Sequence, residues 1–252
     1  MDYIIRKSLI YKTGVEYGDF TLNHVLGCSH GCKYPCYAMM LKKRFGEIES
    51  YQDWLIPRLV QNYREILVKE LPKYRDQIKT LHLCFTTDPF MVGYPEIISA
   101  SMDILDMIAE HKIKASVLTK GVYPDEMARL PKDFTLGITL ISLDEQFRMK
   151  MEPGSAPYRE RINSLKKMSQ LGFSTWVSIE PYPTPNLVNQ DLNSILKEVS
   201  FVDKIIFGRT NYSKEVSSFK KHKEFYNDAA NEVIKFCNEN KIDYHIKVGT
   251  LT

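Results

Sequence analysis

One pattern recurs along the chain and constrains its fold more than any other feature. A short β-rich run is followed by a turn and then by a stretch with apolar residues at helical spacing. The predicted strands are 21–26, 78–85, 114–119, 134–141, 174–179 and 204–207, with 244–248 as a candidate seventh. Strands that alternate with helices favour parallel βαβ units. We therefore predict an α/β fold, a single-domain partial (β/α)6 barrel of the TIM type, rather than two separate domains.

A single domain of this kind agrees with the length of 252 residues. We place the barrel core at about residues 20–210 and a C-terminal helix with the candidate strand at 219–250. The sequence shows neither a membrane span nor a signal peptide, so we expect a cytoplasmic protein without membrane contact. The net charge of +3 is too small by itself to indicate a polyanionic partner. In such barrels the reactive groups lie at the carboxyl ends of the strands, which makes the segments after the strands candidate sites.

Three of the five cysteines lie within nine positions, directly after the first predicted strand. They are Cys28, Cys32 and Cys36, and Gly31 and Pro35 between them disfavour a helix. A loop of this kind can fold three thiolates round one centre, as in iron–sulfur proteins. Three ligands on a four-iron cluster would leave one iron open to a small molecule.

Two other interpretations of these cysteines stay open at this point. Structural zinc would need a fourth ligand, which His30, His24 or Cys84 could supply. The corresponding function would be a zinc-stabilised βα-barrel binding module without redox chemistry. The third interpretation is that the thiols are unrelated to one another.

The residues around the cysteines resemble a known family. The string GCSHGCKYPCYA is similar to the GCxHGCxYCYA signature of radical S-adenosylmethionine (SAM) enzymes, in the branch that includes spore photoproduct lyase. Pro35 lengthens the usual CxxxCxxC spacing to CxxxCxxxC, and an added residue in a loop can still reach the same iron. Further segments resemble that branch in the same order, namely TTDPF at 86–90, LTK at 118–120, SLDE at 142–145 and MEPG at 151–154. The less diagnostic tail, 208–250, resembles a subgroup of mobile-element radical SAM pair proteins.

The resemblance implies an enzyme with a [4Fe–4S] cluster held by Cys28, Cys32 and Cys36. Its open iron would chelate the amino and carboxylate groups of SAM. An external one-electron donor would drive cleavage to methionine and a 5′-deoxyadenosyl radical, which abstracts hydrogen from a substrate. The cofactor supplies the difficult chemistry, and the protein must hold it and exclude water.

The needs of SAM can be matched to residues at the strand ends. Its carboxylate requires a cation and its ammonium requires acceptors, while its ribose and adenine require polar and backbone partners. The candidates for these roles are Tyr37, Thr87, Asp88, Lys120, Ser142, Arg161, Glu180 and Gly208. Ordinary structural roles are the alternatives: surface cations for Lys120 and Arg161, a turn at Asp88, a helix cap at Ser142 and a salt bridge at Glu180.

Two further side chains carry expectations of their own. Cys84 is either a core residue or a hydrogen donor like the one that spore photoproduct lyase carries near this strand end. His82 alternates with Leu81 and Leu83, so we expect it to face outward.

The substrate is the least constrained part of the prediction. A six-unit barrel is open at one side, which favours a macromolecule, with nucleic acid ahead of a peptide or partner protein. Basic segments at 42–44 and 220–223 could contact phosphates, although short charge runs are more often solvated faces.

Overall fold

Strands and helices alternate along the computed structural model, which describes residues 1–252. The strands are β1 (Asp2–Ile4), β2 (Ile10–Lys12), β3 (Phe20–Leu22), β4 (Val25–Leu26), β5 (Arg58–Val60), β6 (Leu81–Leu83), β7 (Ala115–Thr119), β8 (Thr135–Thr139), β9 (Ser174–Tyr182), β10 (Lys204–Arg209) and β11 (Asp243–Ile246). The helices are α1 (Tyr37–Arg44), α2 (Tyr51–Trp54), α3 (Tyr63–Tyr74), α4 (Pro95–Glu110), α5 (Glu145–Met151), α6 (Tyr158–Gln170), α7 (Leu192–Glu198), α8 (Lys214–Ser217) and α9 (His222–Asn240). No helix is long and apolar enough to cross a membrane.

The central sheet contains eight strands in the order β11-β10-β9-β8-β7-β6-β3-β2. Every neighbouring pair is parallel except β2 and β3, which are antiparallel. The edge strands β2 and β11 do not pair with each other, so the barrel is not closed. This topology confirms the predicted single-domain, partial TIM-type barrel, and β11 is the candidate seventh strand.

The first predicted strand, 21–26, is two strands in the structure. β3 belongs to the central sheet, whereas β4 belongs to a small sheet of order β1-β5-β4. The chain turns between them because the side-chain oxygen of Asn23 accepts hydrogen bonds from the backbone N–H and the hydroxyl of Thr86. β4 then pairs with β5, and this small sheet leads directly into the cysteine loop.

Helices cover the outer face of the sheet with the predicted apolar stripes. Ile104, Leu105 and Ile108 of α4 are fully buried in a core of 51 residues. Pro95 occupies the first turn of that helix, where its missing N–H costs no hydrogen bond. Cys237 of α9 is buried in the same core.

His82 points into the barrel, contrary to the sequence expectation. Its ring is buried and stacks on Phe85 with 3.6 Å between the ring centroids. Alternation correctly separated His82 from Leu81 and Leu83, but the outward direction was wrong, because both faces of a barrel strand are covered and the face opposite the two leucines is the barrel interior. Burial lowers the pKa of His82 to about 3, so the ring is neutral at physiological pH.

Aromatic rings fill the lower part of the barrel interior. The Trp176 indole lies over Gly137 of the neighbouring strand, in a space that any β-carbon at 137 would enter. Tyr17 packs edge-on against both Trp176 and Phe85, with 5.7 Å between ring centroids in each pair. Tyr17 belongs to the β2–β3 connection, residues 13–19, which we name the closing loop. Above these rings the interior is open.

Candidate functional site

The rings of Tyr17, Phe85 and Trp176 form what we name the aromatic floor. A cavity of about 540 Å³ opens above it, at the carboxyl ends of the central strands. It is bordered by the cysteine loop and by the segments that follow β6, β7, β9 and β10. Nine of the predicted site residues line it, namely Cys28, Cys32, Cys36, Tyr37, Cys84, Thr87, Asp88, Lys120 and Glu180. Ser142, Arg161 and Gly208 do not line it.

The cysteine loop is fixed at its start by the small sheet. The Cys28 N–H donates to the Trp54 carbonyl over 2.8 Å. Gly27 has φ +90°, and a β-carbon there would lie 2.6 Å from the Ile56 carbonyl oxygen, so this position requires glycine. Helix α1 begins at Tyr37, directly after Cys36, and ends the loop.

The donor set of this loop fits an iron–sulfur cluster. All three thiols are free, half-buried and open to the same cavity. Soft thiolates favour iron–sulfur clusters and zinc over hard cations. No three His, Cys, Asp or Glu side chains are placed to hold a single metal ion. The three thiols are therefore candidate ligands of an inorganic iron–sulfur core.

Two of the three candidate fourth zinc ligands, Cys84 and His24, are engaged with each other, whereas the third, His30, lies beside Asp88. Cys84 Sγ lies 3.3 Å from His24 Nδ1, and His24 Nε2 lies 2.9 Å from the Ser101 hydroxyl. Ser101 donates its own hydrogen to the Pro89 carbonyl, so His24 Nε2 must be the donor to Ser101. Burial lowers the pKa of His24 to about 3, which keeps the ring neutral. His24 Nδ1 is therefore an acceptor, and the Cys84 thiol donates to it.

A buried charge network adjoins the cysteine loop. Lys120 Nζ lies 3.3 Å from Cys32 Sγ and 3.0 Å from Glu152 Oε1. Tyr34 accepts a hydrogen bond from Lys120 and donates one to Glu152. The other Glu152 oxygen lies 2.9 Å from Arg161 Nη2, and both of these side chains are fully buried. Lys120 is thus held between a candidate cluster ligand and a carboxylate.

Glu152 keeps its negative charge despite its burial. Burial by itself would raise its pKa, but the charges of Lys120 and Arg161 and the hydrogen bonds from Tyr34 and Arg161 outweigh burial and lower the pKa to about 2. The sequence analysis included Glu152 in the MEPG segment without assigning it a role. The signal that could have found it is that two predicted cations, Lys120 and Arg161, need a common anion.

Arg161 lies behind Glu152 rather than at the cavity. Its Nε donates to the Ala156 carbonyl and its Nη1 to the Thr139 carbonyl. Its Nη2 is bound to Glu152, and the fully buried guanidinium does not border the cavity. Arg161 can therefore influence the cavity only through Glu152.

Asp88 and Thr87 fasten neighbouring loops to one another. Asp88 accepts hydrogen bonds from the Thr119 hydroxyl and from the backbone N–H of Lys120, each over 2.7 Å. Thr87 donates its hydroxyl to the Gly27 carbonyl over 2.6 Å. Asp88 holds the backbone of Lys120, and Thr87 holds the entry to the cysteine loop.

Ser142 and Gly208 have local packing roles in the structure. The buried Ser142 hydroxyl accepts from the Asp144 N–H over 3.0 Å, and Asp144 caps α5. A β-carbon at Gly208 would lie 2.9 Å from Glu180 Cδ and 3.0 Å from Lys247 Cγ. Gly208 therefore gives room for both of these side chains. Burial raises the pKa of Glu180, with the charge of Lys247 opposing this.

The comparisons with known proteins are consistent with this geometry. Residues 22–199 match the Radical SAM superfamily. The chain belongs to that superfamily. Membership makes it an enzyme of the radical SAM class, with an iron–sulfur cluster and SAM as its cofactors.

Two relatives align over about three quarters of this chain. The uncharacterized protein ORF301 of Acidianus two-tailed virus is 26% identical over 201 residues, which are 74% of this chain and 65% of the viral protein. The uncharacterized protein MJ0683 of Methanocaldococcus jannaschii is 22% identical over 186 residues, which are 73% and 67% of the two chains. The matched region therefore spans about two thirds of each relative's length.

Solved radical SAM structures share the fold. Spore photoproduct lyase in complex with dinucleoside spore photoproduct superposes with a TM-score of 0.70 at 12% identity, covering 96% of this chain and 80% of the lyase. Streptococcus suis SuiB bound to S-adenosylmethionine superposes with a TM-score of 0.53 at 14% identity, covering 71% and 40%. The resemblance to the spore photoproduct lyase branch is confirmed at the level of family and fold. Membership in the mobile-element subgroup stays a prediction.

Proposed function

We propose that Cys28, Cys32 and Cys36 hold a [4Fe–4S] cluster and that SAM binds in the adjoining cavity. The observation that carries the proposal is the convergence of all three thiols and the Lys120 ammonium on one cavity, with Lys120 Nζ 3.3 Å from Cys32 Sγ. When bound, the cluster and SAM supply one-electron chemistry that removes a hydrogen atom from a substrate. The electron comes from an external donor.

Lys120 and Arg161 are the two cations predicted to bind the SAM carboxylate, and of the two only Lys120 borders the cavity. Burial would lower its pKa, but the negative groups around it raise the pKa, so the ammonium stays charged. Its backbone is bound to Asp88 and its side chain to Glu152. A cation fixed at both ends presents its charge without a large loss of side-chain freedom, which favours binding.

The other predicted residues divide between contact and positioning. Tyr37, Thr87, Asp88 and Glu180 border the cavity and are proposed to contact SAM or the substrate. Ser142, Arg161 and Gly208 are proposed to act through the neighbours that they hold. The aromatic floor beneath excludes water from that end of the cavity, which protects a reactive intermediate.

We also propose Cys84 as a hydrogen donor to the substrate. Its side chain borders the cavity, and burial raises the pKa of the thiol, so the S–H bond is retained at neutral pH. The hydrogen bond to His24 fixes the thiol in position. A radical on a substrate in this cavity would take the hydrogen atom of this thiol, which forms a C–H bond, breaks the S–H bond and leaves a thiyl radical at Cys84, and the external one-electron donor with a proton from solvent would restore the thiol.

The proposed substrate is a macromolecule, with nucleic acid ahead of a peptide. A second cavity of about 280 Å³ shares Tyr34, Pro35, Pro181 and Tyr212 with the first, and its charged lining residues are Lys33, Lys214 and Glu215. Tyr212 is 77% exposed where the two cavities meet. Exposed aromatic rings beside cations are typical of surfaces on which single-stranded bases stack.

The test of the cofactor assignment is anaerobic reconstitution followed by iron, sulfide and zinc analysis. The parent and the Cys237→Ala variant should bind iron and sulfide, whereas replacement of Cys28, Cys32 and Cys36 by Ala should abolish the cluster. The reduced parent should then form 5′-deoxyadenosine from SAM. Cys84→Ala should also form 5′-deoxyadenosine, but the products formed from the substrate should change. Stoichiometric zinc without iron would instead favour the zinc-stabilised binding module. Thiolates that must stay reduced also support a cytoplasmic location.

A further inference from the structure

The open side of the barrel is covered by the closing loop, residues 13–19. Its Tyr17 ring lies 6.1 Å from the His245 ring, on the far edge strand β11. Its base is fixed because the Asp19 carboxylate accepts from the backbone N–H groups of Lys79 and Thr80. The loop therefore spans the gap between the first and the last parallel strands.

Glu16 carries the polar contacts across that gap. One carboxylate oxygen lies 2.7 Å from His245 Nε2 and accepts from the Val248 N–H over 3.2 Å, while the other lies 3.5 Å from Lys247 Nζ. Burial would raise the pKa of Glu16, but these three partners lower it, so Glu16 is ionised. A ring nitrogen, a backbone N–H and an ammonium converging on one carboxylate form an anion-binding site.

The same rim holds a cation without an acidic partner. The Arg209 guanidinium donates to the Asn211 side chain, and no carboxylate pairs with it. Its Nη2 would lie 3.5 Å from a β-carbon at Gly249, which places it beside the turn that carries Lys247 and Val248. Lys247, Arg209 and Glu16 all border the 540 Å³ cavity. Glu180 borders the same cavity beside Lys247, so the rim brings two carboxylates and two cations together, and of the cations only Arg209 makes no ion pair.

We propose that Glu16 occupies a substrate-binding site in the closed state and that an anionic group of the substrate, a phosphate or a carboxylate, replaces it between Lys247, His245 and the Val248 N–H. This inference rests on the proposed function, because it supplies a binding site for the substrate of that enzyme. Displacement of Glu16 would also move Tyr17 from its contacts with Phe85 and Trp176. The cavity would then open at the side where the barrel has no strand.

Anaerobic binding measurements on the cluster-loaded protein test this exchange. Fluorescence anisotropy would compare a short oligothymidylate with a Glu-rich peptide of equal charge, which distinguishes phosphate from carboxylate. Glu16→Gln removes the internal competitor and should tighten binding of the matching ligand by about tenfold, the scale of one charge-assisted interaction. Lys247→Ala should weaken it by a similar factor.

Glu239→Gln is the matched control, since it makes the same change in net charge on α9, where Glu239 faces Lys235. Equal tightening by Glu239→Gln and Glu16→Gln would overturn the proposal, because only overall charge would then matter. Unchanged affinity of Glu16→Gln for both ligands would also overturn it. Hydrogen exchange should show residues 13–19 becoming less protected when the ligand binds. Deoxyadenosine formation, assayed separately, reports on the proposed function independently of this exchange.

Discussion

At the cysteine loop, Glu152 is fully buried between Lys120 and Arg161, whereas at the closing loop Glu16 lies between His245 and Lys247 with 27% of its side chain exposed. Each carboxylate is paired with a lysine that borders the cavity, Lys120 for Glu152 and Lys247 for Glu16. The difference is solvent access, because removal of one partner from a fully buried pair leaves an uncompensated charge, while water can replace a partner at an exposed pair. The first arrangement suits a permanent support, and the second suits an exchangeable contact.

Removal of the buried carboxylate should have the largest effect. Glu152→Gln would leave Lys120 and Arg161 without their common anion and should lower the free energy of unfolding by about 3–5 kcal/mol. Urea unfolding under anaerobic conditions, followed by circular dichroism, measures this loss. The exposed control, Glu239→Gln, should unfold like the parent. A loss no larger than that of the control would show that the network does not stabilise the fold.

Acidification should remove the same contribution progressively. The pKa of Glu152 is about 2 in the folded protein against an ordinary value of 4.5. Because the folded value is the lower one, the stabilisation is fully present above pH 4.5 and is lost as the pH falls toward 2. The difference in unfolding free energy between the parent and Glu152→Gln should therefore be constant above pH 4.5 and shrink below it. A difference that grows on acidification would contradict this assignment.

Loss of the cavity cation should weaken SAM binding as well as the fold, because Lys120→Ala leaves the buried Glu152 with Arg161 as its remaining cation. Lys120→Ala should weaken SAM binding by about 1–3 kcal/mol, the range for a hydrogen bond to a charged group. Equilibrium dialysis of the reconstituted protein measures this, with iron content as the check that the cluster remains. Lys167→Ala, which removes an exposed pair with Asp125, is the control. Parent-like SAM affinity in Lys120→Ala would end the role proposed for this residue.

The smallest stability effect is expected at the closing loop. Glu16→Gln should lower the free energy of unfolding by less than about 1 kcal/mol, because its ion pairs are partly exposed. Hydrogen exchange of residues 13–19 should nevertheless become faster, since the loop loses its contact with β11. A stability loss as large as that of Glu152→Gln would contradict the proposed difference between the buried carboxylate and the partly exposed one.

Local patterns in the sequence were sufficient for the barrel and for the cysteine loop. The strand-and-helix alternation predicted the parallel order from β3 to β10, and β11 forms near the candidate seventh strand. The cysteine spacing predicted three thiols in one loop, and they do border one cavity. Both features depend on residues that are close together in the chain.

Contacts between distant residues could not be predicted in this way. Glu16 and His245 are 229 positions apart, and no periodicity connects them. Arg161 was matched to a ligand by its charge, but its fully buried guanidinium binds Glu152, Ser155 and two backbone carbonyls instead of bordering the cavity. His82 shows the same limit, since alternation fixes a side of a strand but not what covers that side.

The contact between Gly137 and Trp176 limits how far the interior extends. Because the bare glycine backbone and the indole share one space on neighbouring strands, a larger residue at 137 would require a smaller ring at 176. The side-chain volumes at positions 137 and 176 therefore limit each other. A chain with small side chains at both positions would have a cavity that extends further toward the opposite end of the barrel. In this protein the indole fills the interior beneath Tyr17, and Tyr17, His82 and Phe85 form the end of the cavity that an entering group would meet.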